Sequence, residues 1–542
     1  MTSNSSVDLI STSDDWRRDV GTGWPWLILA LAIGCAVAGW LFPLIDPDLP
    51  MHLRTAEWIV REGRVPFTEP FAWTRPGAPF YAYSWMAELL YHGAFSMFGA
   101  AGLHAVHALT AAGAFLVIIA LGRASRWTPW ATLLVALLSF SVWISFIGAV
   151  RPQALMALTV PLSWLGAEWM LRGRLRAGIA LVFVAAVLTV NTHVLFPVTA
   201  MPLLRVLAEP LVPWRKVVLF LAANAVGWLM TPYAFVFVDM MRINFTGNAL
   251  IGPATSVTEL EAGFRAFMHS AISIRIAVVI LLLVPIAIPS RLLTDRERFL
   301  YGLAWVGGLF LFGTAVRGIV IWLLAALPLL ARAASAIPLP QLDRTRRINM
   351  FATLLVPLGL VGGVSRELGA IPQVTATRAS RQLPVPVAAA VEPLVRFVEC
   401  NLTYPLGTHA YTAFNYGSYL VWRLPSLSYS IDGRNIYPDS VAGAEAFQVA
   451  NDGPMRLGPW RSADIAIAPL RHATARAIDA SPEWRLLRVS VPVDTTDGPA
   501  GLWAKRTWIE KQVPGMLPAA DTVRAPGVVP VRGACGTARN PA

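Results

Sequence analysis

Charge and cysteine are what this sequence has least of. Asp, Glu, Lys and Arg make up only 14% of its 542 residues, while 56% are hydrophobic. Mean hydropathy is +0.55. So little charge cannot cover an ordinary globular surface, which excludes a soluble protein and leaves a polytopic membrane protein. Cys35, Cys400 and Cys535 are too few for a disulfide-stapled scaffold, and no Cys-x-x-Cys offers a thiolate zinc site. A disulfide between Cys400 and Cys535 would need an oxidising compartment, and sequence alone does not pair them. There is no internal repeat, no P-loop and no Gly-x-Ser-x-Gly elbow, which removes P-loop nucleotide hydrolysis and α/β-hydrolase chemistry. Acidic residues are outnumbered and the net charge is +12. The Arg residues are nevertheless scattered in short connections rather than gathered into one basic face, so no nucleic-acid partner is expected.

What is there is a series of apolar runs. The first, 24–45, carries no charge and is long enough to span a membrane. Residues 1–23 are polar, with Arg17 and Arg18 near the membrane and no small-residue cleavage site after the run, so the helix is retained and the tail is cytoplasmic. Further runs at about 103–122, 129–148, 154–171, 177–191, 194–208, 217–232, 271–290, 299–315, 318–334 and 349–364 predict about eleven transmembrane helices within 24–364.

Orientation follows from the positive residues, which resist translocation. Alternate connections carry Arg123 and Arg126, then Arg172, Arg174 and Arg176, then Arg215 and Lys216, then Arg291, Arg296 and Arg298, then Arg344, Arg346 and Arg347. That set reads as cytoplasmic. The outward set holds the loops 46–85 and 231–270, Arg151-Pro152-Gln153, Asn191-Thr192-His193, Arg317 and everything after about 365. The chain is therefore expected in the inner (plasma) membrane with its C-terminal domain on the extracytoplasmic, periplasmic side.

The outward connections carry isolated polar residues tight against span ends. Asp46-Pro47-Asp48-Leu49-Pro50-Met51-His52 sets two carboxylates and an imidazole at one mouth of the membrane, where unpaired charge is costly unless it meets water, a cation or a substrate. Pro47 holds Asp46 out of helical geometry, and Pro50 suits the first turn of a helix running to about Gly63. Arg151, Gln153, Asn191, His193 and Arg317 stand at other outward mouths. The bland alternative is that Asp48 caps the following helix, that His52 is an interfacial side chain, and that the rest are caps or water-exposed turns. Their gathering on one face describes instead an active site or a pore mouth. Within the first loop, Trp58, Trp73, Tyr81, Tyr83 and Trp85 are expected at headgroup depth on short surface helices. Glu259 and Glu261 of the second long loop read as solvated carboxylates.

From 365 to 514 hydropathy drops, and a helix at 394–400 with strands at 410–414, 419–423, 428–431, 464–468 and 484–493 predicts a small soluble α/β domain. Its most conspicuous segments are Asn415-Tyr416-Gly417-Ser418-Tyr419-Leu420 and the turn signal Asp432-Gly433-Arg434. Residues 515–542 are rich in Pro and Gly and read as a poorly ordered tail.

Taken in order, Asp46-Pro47-Asp48 through His52, Gly63-Arg64-Val65-Pro66, Gly77-Ala78-Pro79 and Trp85 resemble the first outward loop of bacterial polytopic proteins related to the GT-C glycosyltransferases. Arg151-Pro152-Gln153, Asn191-Thr192-His193, Thr231-Pro232-Tyr233, Arg317, Gly417-Ser418-Tyr419-Leu420 and Asp432-Gly433-Arg434 extend the likeness over most of the chain. Met51 stands where this family often has Trp, and Thr231 where it often has Asn.

The resemblance implies a GT-C-like α-helical membrane domain that moves a hexosyl or pentosyl group from a polyprenyl-phosphate carrier to a lipid or glycan acceptor at the outer face. It implies an acid of the first outward loop as general base, Asp46 first and Asp48 second. Arg151 and Arg317 would hold the carrier phosphate, with His52, Gln153, Asn191 and His193 also binding substrate. Two aspartates and one or two histidines could hold Mg²⁺ or Mn²⁺, but the outward arginines argue against an obligatory metal. The partners are the carrier-linked donor, the acceptor and membrane lipids. Two rivals stand beside this reading. One is a transporter or flippase of lipid-linked sugars, which would tend to show paired halves that this sequence lacks. The other is a non-catalytic membrane scaffold.

Overall fold

A computed structural model of the chain describes residues 24–42, 44, 46–146, 150–243, 272–288, 293–314, 318–336, 383, 385–402, 404–432, 458–490 and 498–512. Arg317, Glu259, Glu261, Gly433, Arg434, Cys535 and the apolar run 349–364 lie outside the described residues. The chain separates into two compact units, one of Met1–Leu44, Tyr83–Phe235 and Val257–Gln382, the other of Ile45–Ala82, Val236–Ser256 and Leu383–Ala542.

Helices follow the apolar runs. The first are α1 (Trp24–Leu41), α2 (Leu49–Glu62), α3 (Trp85–Phe98), α4 (Ala100–Ala124) and α5 (Pro129–Phe146). After a 3₁₀ turn at Pro152–Leu155 come α6 (Met156–Leu171), α7 (Leu175–Val190), α8 (Leu203–Ala208), α9 (Trp214–Leu229), α10 (Ile272–Ala287), α11 (Asp295–Thr314) and α12 (Ile319–Ala336). All of these except α2 belong to the first unit.

The protein is mostly helical and multi-pass, but with fewer full-length crossings than the apolar runs predict. Among the described residues three stretches are long and apolar enough to cross a membrane, Ala100–Ala124, Pro152–Leu171 and Ile319–Ala336. A fourth is reached if the broken pair Trp214–Leu229 and Ala234–Ile243 counts as one span. Part of the difference from eleven is length; α11 is 20 residues long but begins with Asp295, Arg296, Glu297 and Arg298, and the run 349–364 lies outside the described residues. At a rise of about 1.5 Å per residue, crossing about 30 Å of hydrocarbon takes about 20 residues. Pro25–Leu41, Pro129–Trp143, Leu175–Val190, Phe196–Ala208 and Arg275–Ile286 are apolar but shorter. In the run 194–208, prolines at 197 and 202 divide the chain into a 3₁₀ turn, Phe196–Ala200, and the short α8.

The core of the first unit surrounds α12, which is buried nearly all round from Ile319 to Ala331, as expected of a central helix. Trp322 packs against Trp305 edge-on at 5.7 Å and stacks on Phe312 at 5.5 Å. Helices α6 and α7 cross so closely that a Cβ on Gly166 would stand 2.9 Å from the Gly178 carbonyl oxygen, and one on Gly178 would stand 2.6 Å from that of Gly166. Small residues at a crossing let backbones approach where lipid offers no hydrophobic drive for association. Buried charge is paired: the Arg205 guanidinium meets Glu168 and Glu209, each at 2.7 Å.

The second unit contains α13 (Pro386–Asn401), β1 (Thr408–Thr412), α14 (Phe414–Arg423), β2 (Leu427–Tyr429), β3 (Ile465–Pro469), α15 (Ala473–Asp479), β4 (Trp484–Val489), β5 (Ala500–Lys505) and α16 (Arg506–Gln512). The strands form one mixed sheet in the order β2-β1-β3-β5-β4, with β1 parallel to β2 and β3, and β5 antiparallel to β3 and β4. The α/β expectation holds in this region, but 419–423 is helical rather than extended. Tyr416, Tyr419 and Leu420 are buried at helical spacing and Arg423 reaches α13, so period 3.6 overrides the aromatic content that reads as strand. Gly417 makes the packing possible, since a Cβ there would lie 2.4 Å from the Ile431 oxygen and 2.5 Å from the Asp432 Cα. The two conspicuous segments thus meet. Cys35 is buried and free, whereas Cys400 is disulfide-bonded.

The loop 46–82 folds into this second unit. Residues 71–73 run parallel to β2 as an added edge, with Tyr429 N–H donating to the Phe71 carbonyl and Trp73 N–H to the Tyr429 carbonyl, each at 3.0 Å. Glu69 shapes that edge by accepting the N–H groups of Phe71 and Ala72 at 2.8 and 3.0 Å. Thr74 Oγ1 donates to the Ser430 carbonyl at 2.6 Å. Trp73 stacks on His409 at 4.6 Å and donates its indole N–H to the Ala410 carbonyl at 3.4 Å.

A salt-bridge cluster ties α14 to α13. Burial alone would raise the Glu392 carboxyl, but Arg423, at 2.9 and 3.2 Å, and the Tyr419 hydroxyl, at 2.7 Å, hold it below the usual carboxylate range. A depressed folded value means that this stabilisation is present above the unfolded carboxylate pKa and is lost as pH falls through the folded one. Glu392→Gln should therefore lower the unfolding midpoint of the full chain at about pH 7, and its difference from the unsubstituted protein should shrink as pH falls through the folded value, as followed by tryptophan fluorescence.

Candidate active site

The acidic turn opens the second unit. Asp46 is 1% exposed, and its Oδ1 accepts the Asp48 N–H at 3.0 Å, closing a local Asx-type turn around Pro47. The Asp46 carbonyl accepts the Leu49 N–H at 3.3 Å and the Asp48 carbonyl accepts the His52 N–H at 3.1 Å, which starts α2. Pro50 sits in the first turn, and Gly63, with φ of 66°, closes the far end in the left-handed region. Asp48 occupies the N-cap position without a side-chain capping bond, so the bland account of that residue is not what the structure contains. The result is a buried carboxylate and a half-exposed one two residues apart, with half-buried His52 on the following turn.

The first unit builds its own polar group along α3. Pro152 disfavours helical geometry for the residue before it, and Arg151 is extended with φ of −115° and ψ of 150°. The Arg151 carbonyl accepts the Tyr91 hydroxyl at 2.7 Å and the Ala154 N–H at 2.9 Å, while Arg151 and Gln153 are both half-buried. Six residues earlier on α3, about 9 Å along the axis, Trp85 donates its indole N–H to Asn191 Oδ1 at 2.8 Å. Asn191 closes α7: its amide donates to the Val187 and Met230 carbonyls, each at 2.8 Å, and its own carbonyl accepts the Met86 N–H at 3.1 Å. Both donors of that side chain are thus used inside the protein.

His193 follows at once. Its Nδ1 accepts the Leu195 N–H at 3.1 Å, so the neutral ring carries its proton on Nε2. Tyr83 meets the ring edge-on at 6.1 Å. The structure therefore joins Arg151 and Asn191 through α3, sets His193 against Tyr83 just before that helix, and places Asp46, Asp48 and His52 in the second unit. Among the described residues no three of His, Cys, Asp and Glu converge in a way that would hold a metal ion.

Two contributors escape a reading of the sequence, Tyr91 and Arg54. Tyr91 looks like an ordinary apolar position of a helix, and Trp85 reads only as an interfacial aromatic; the structure shows their polar atoms fastening Arg151 and Asn191. Arg54 looks like a solvated helix charge; its spacing of three from Glu57 is the one signal that it is held.

No protein-family model matches the chain, and no curated protein matches it by sequence. Among solved structures it is similar to ArnT from Cupriavidus metallidurans bound to undecaprenyl phosphate, with 14% identity and a TM-score of 0.51. The match covers 89% of this chain and 98% of that one. At that identity the likeness is one of fold, and it includes both helical and sheet-containing parts.

Asn191→Ala removes the acceptor of Trp85 and two donors to carbonyl groups at once. It should destabilise the full chain by about 3 kcal/mol, since each buried partner left unmade costs about 1–3 kcal/mol. Asn191→Asp should not rescue it, because a carboxylate cannot donate to Val187 and Met230; thermal unfolding in detergent checks both.

Proposed function

We propose that the chain is a GT-C-type membrane glycosyltransferase that moves a sugar from a polyprenyl-phosphate carrier to a lipid or glycan acceptor outside the cytoplasm. The observation that carries this reading is the fold it shares, over most of its length, with a protein solved with undecaprenyl phosphate bound. The disulfide at Cys400 supports an oxidising, extracytoplasmic setting for the sheet-bearing unit and for the acidic turn that belongs to it.

The chemistry needs few groups. As the acceptor oxygen forms its bond to the anomeric carbon, its proton passes to a carboxylate, and the bond from that carbon to the phosphate oxygen breaks. Asp46 is assigned as the base, with Asp48 beside it. Negative charge grows on the leaving phosphate, and guanidinium groups stabilise it through paired N–H donors; Arg151 and Arg317 are assigned there. His193, with a proton on Nε2, can donate to a phosphate or acceptor oxygen. His52 and Gln153 are assigned to substrate binding, and Asn191 fastens α3 through Trp85. In this reading no metal is obligatory, and Mg²⁺ or Mn²⁺ near Asp46, Asp48 and His52 is not required.

Asp46→Asn should lower transfer from a polyprenyl-phosphate sugar by about 10²–10⁴-fold, the usual worth of a general base, while carrier binding and the unfolding midpoint are kept. Asp48→Asn should cost less. Equal turnover by Asp46→Asn and the unsubstituted protein would end the assignment. Arg317→Ala should weaken carrier binding more than acceptor binding, read by separate titrations; an unchanged carrier affinity contradicts its role.

A further inference from the structure

Arg54 stands six residues after Asp48 on α2 and is 8% exposed. Its Nη1 donates to Glu57 on the same helix at 3.1 Å, and its Nη2 donates to the Pro425 carbonyl, between α14 and β2, at 3.4 Å. The guanidinium carbon lies 5.7 Å from the centre of the Phe71 ring, within range of a cation–π contact. One cation therefore touches three segments: the helix that begins at the acidic turn, the added strand of the first loop, and the connection leading into β2. Helix α2 also packs on α14. Because the Asp46 and Asp48 carbonyls accept N–H groups of α2, any roll of this helix about its axis carries the acidic turn with it.

We propose that Arg54 is a positioning residue, and that through it the C-terminal domain sets where the Asp46 and Asp48 carboxylates stand. The activity half of this inference rests on the sugar-transfer reading; the structural half does not. A plain stabilising role is the competing account, and the surroundings separate the two. Glu57 is 36% exposed and Pro425 is exposed, so water can replace the guanidinium at both. Arg54→Met, which keeps most of the side-chain volume, then leaves no buried charge unpaired and need not unfold the domain.

The test uses the full-length protein in detergent, with amide hydrogen exchange and steady-state transfer measured on the same samples. In Arg54→Met the amides of Leu49 and His52 should exchange about tenfold faster or more, while those of β1, β3 and α14 stay within about twofold. The kcat should fall about tenfold or more with donor KM within about twofold, as expected of misplaced reacting groups. Arg54→Lys, which keeps the charge over Phe71 but not the fork, should recover part of both effects. The proposal is overturned if Leu49 and His52 exchange as in the unsubstituted protein, if exchange rises equally across the sheet, or if lysine does no better than methionine. Should the exchange response appear while the unsubstituted protein transfers no sugar, positioning by Arg54 stands and the transferase reading falls.

Discussion

Two backbone hydrogen bonds between residues 71–73 and Tyr429 decide the architecture of the second unit. Without them the first outward loop would be a polar excursion between α1 and α3. With them, it is bridged to the edge of a sheet whose strands come from the later part of the chain. The pairing removes an open edge at β2, which would otherwise present unpaired N–H and C=O groups. It also brings Phe71 under the Arg54 guanidinium and Trp73 onto His409, so side-chain contacts follow from the backbone pairing. The acidic turn acquires a fixed support because the loop that contains it is shared with a folded domain.

Much of this was legible in the residues. The helix after the acidic turn, with Pro50 at its start and Gly63 at its end, needs only local rules, as does the helix over 394–400, observed as α13. Strands β1, β2, β3 and β4 fall close to their expected places. The helix at 414–423 was not legible, because Tyr419, Val421 and Trp422 favour a strand. Only the tertiary burial of residues 416–421, with Gly417 admitting the backbone near Asp432, decides for a helix. Among the described residues fewer full-length crossings are found than the apolar runs predict, because hydropathy counts apolar residues and not helix length; in the run 194–208 prolines divide the chain.

The candidate site was legible as a set of residue types and not as a set of contacts. Isolated Asp, His, Arg and Asn at span ends announce themselves by their cost in an apolar setting. Which of them is committed within the protein does not show in a sequence. Asn191 has both amide donors taken by carbonyls, whereas the neighbouring His193 is set in one tautomer by a single backbone N–H. The same polar signal thus covers a structural junction and a group with a defined proton, and the difference lies in partners such as Trp85, whose hydrogen bond to Asn191 does not show in a sequence.

The hydrogen bond from Ser428 to the Phe71 carbonyl spans 357 residues of chain. Everything between, including most of the membrane-embedded helices, is synthesised before the two strands can meet. At about 5–20 residues per second, the first loop waits roughly 18–70 seconds for its partner strand. A nascent or truncated chain therefore lacks the sheet to which its acidic turn is fastened, and a mature arrangement of that turn is available only after the final domain has been made and folded.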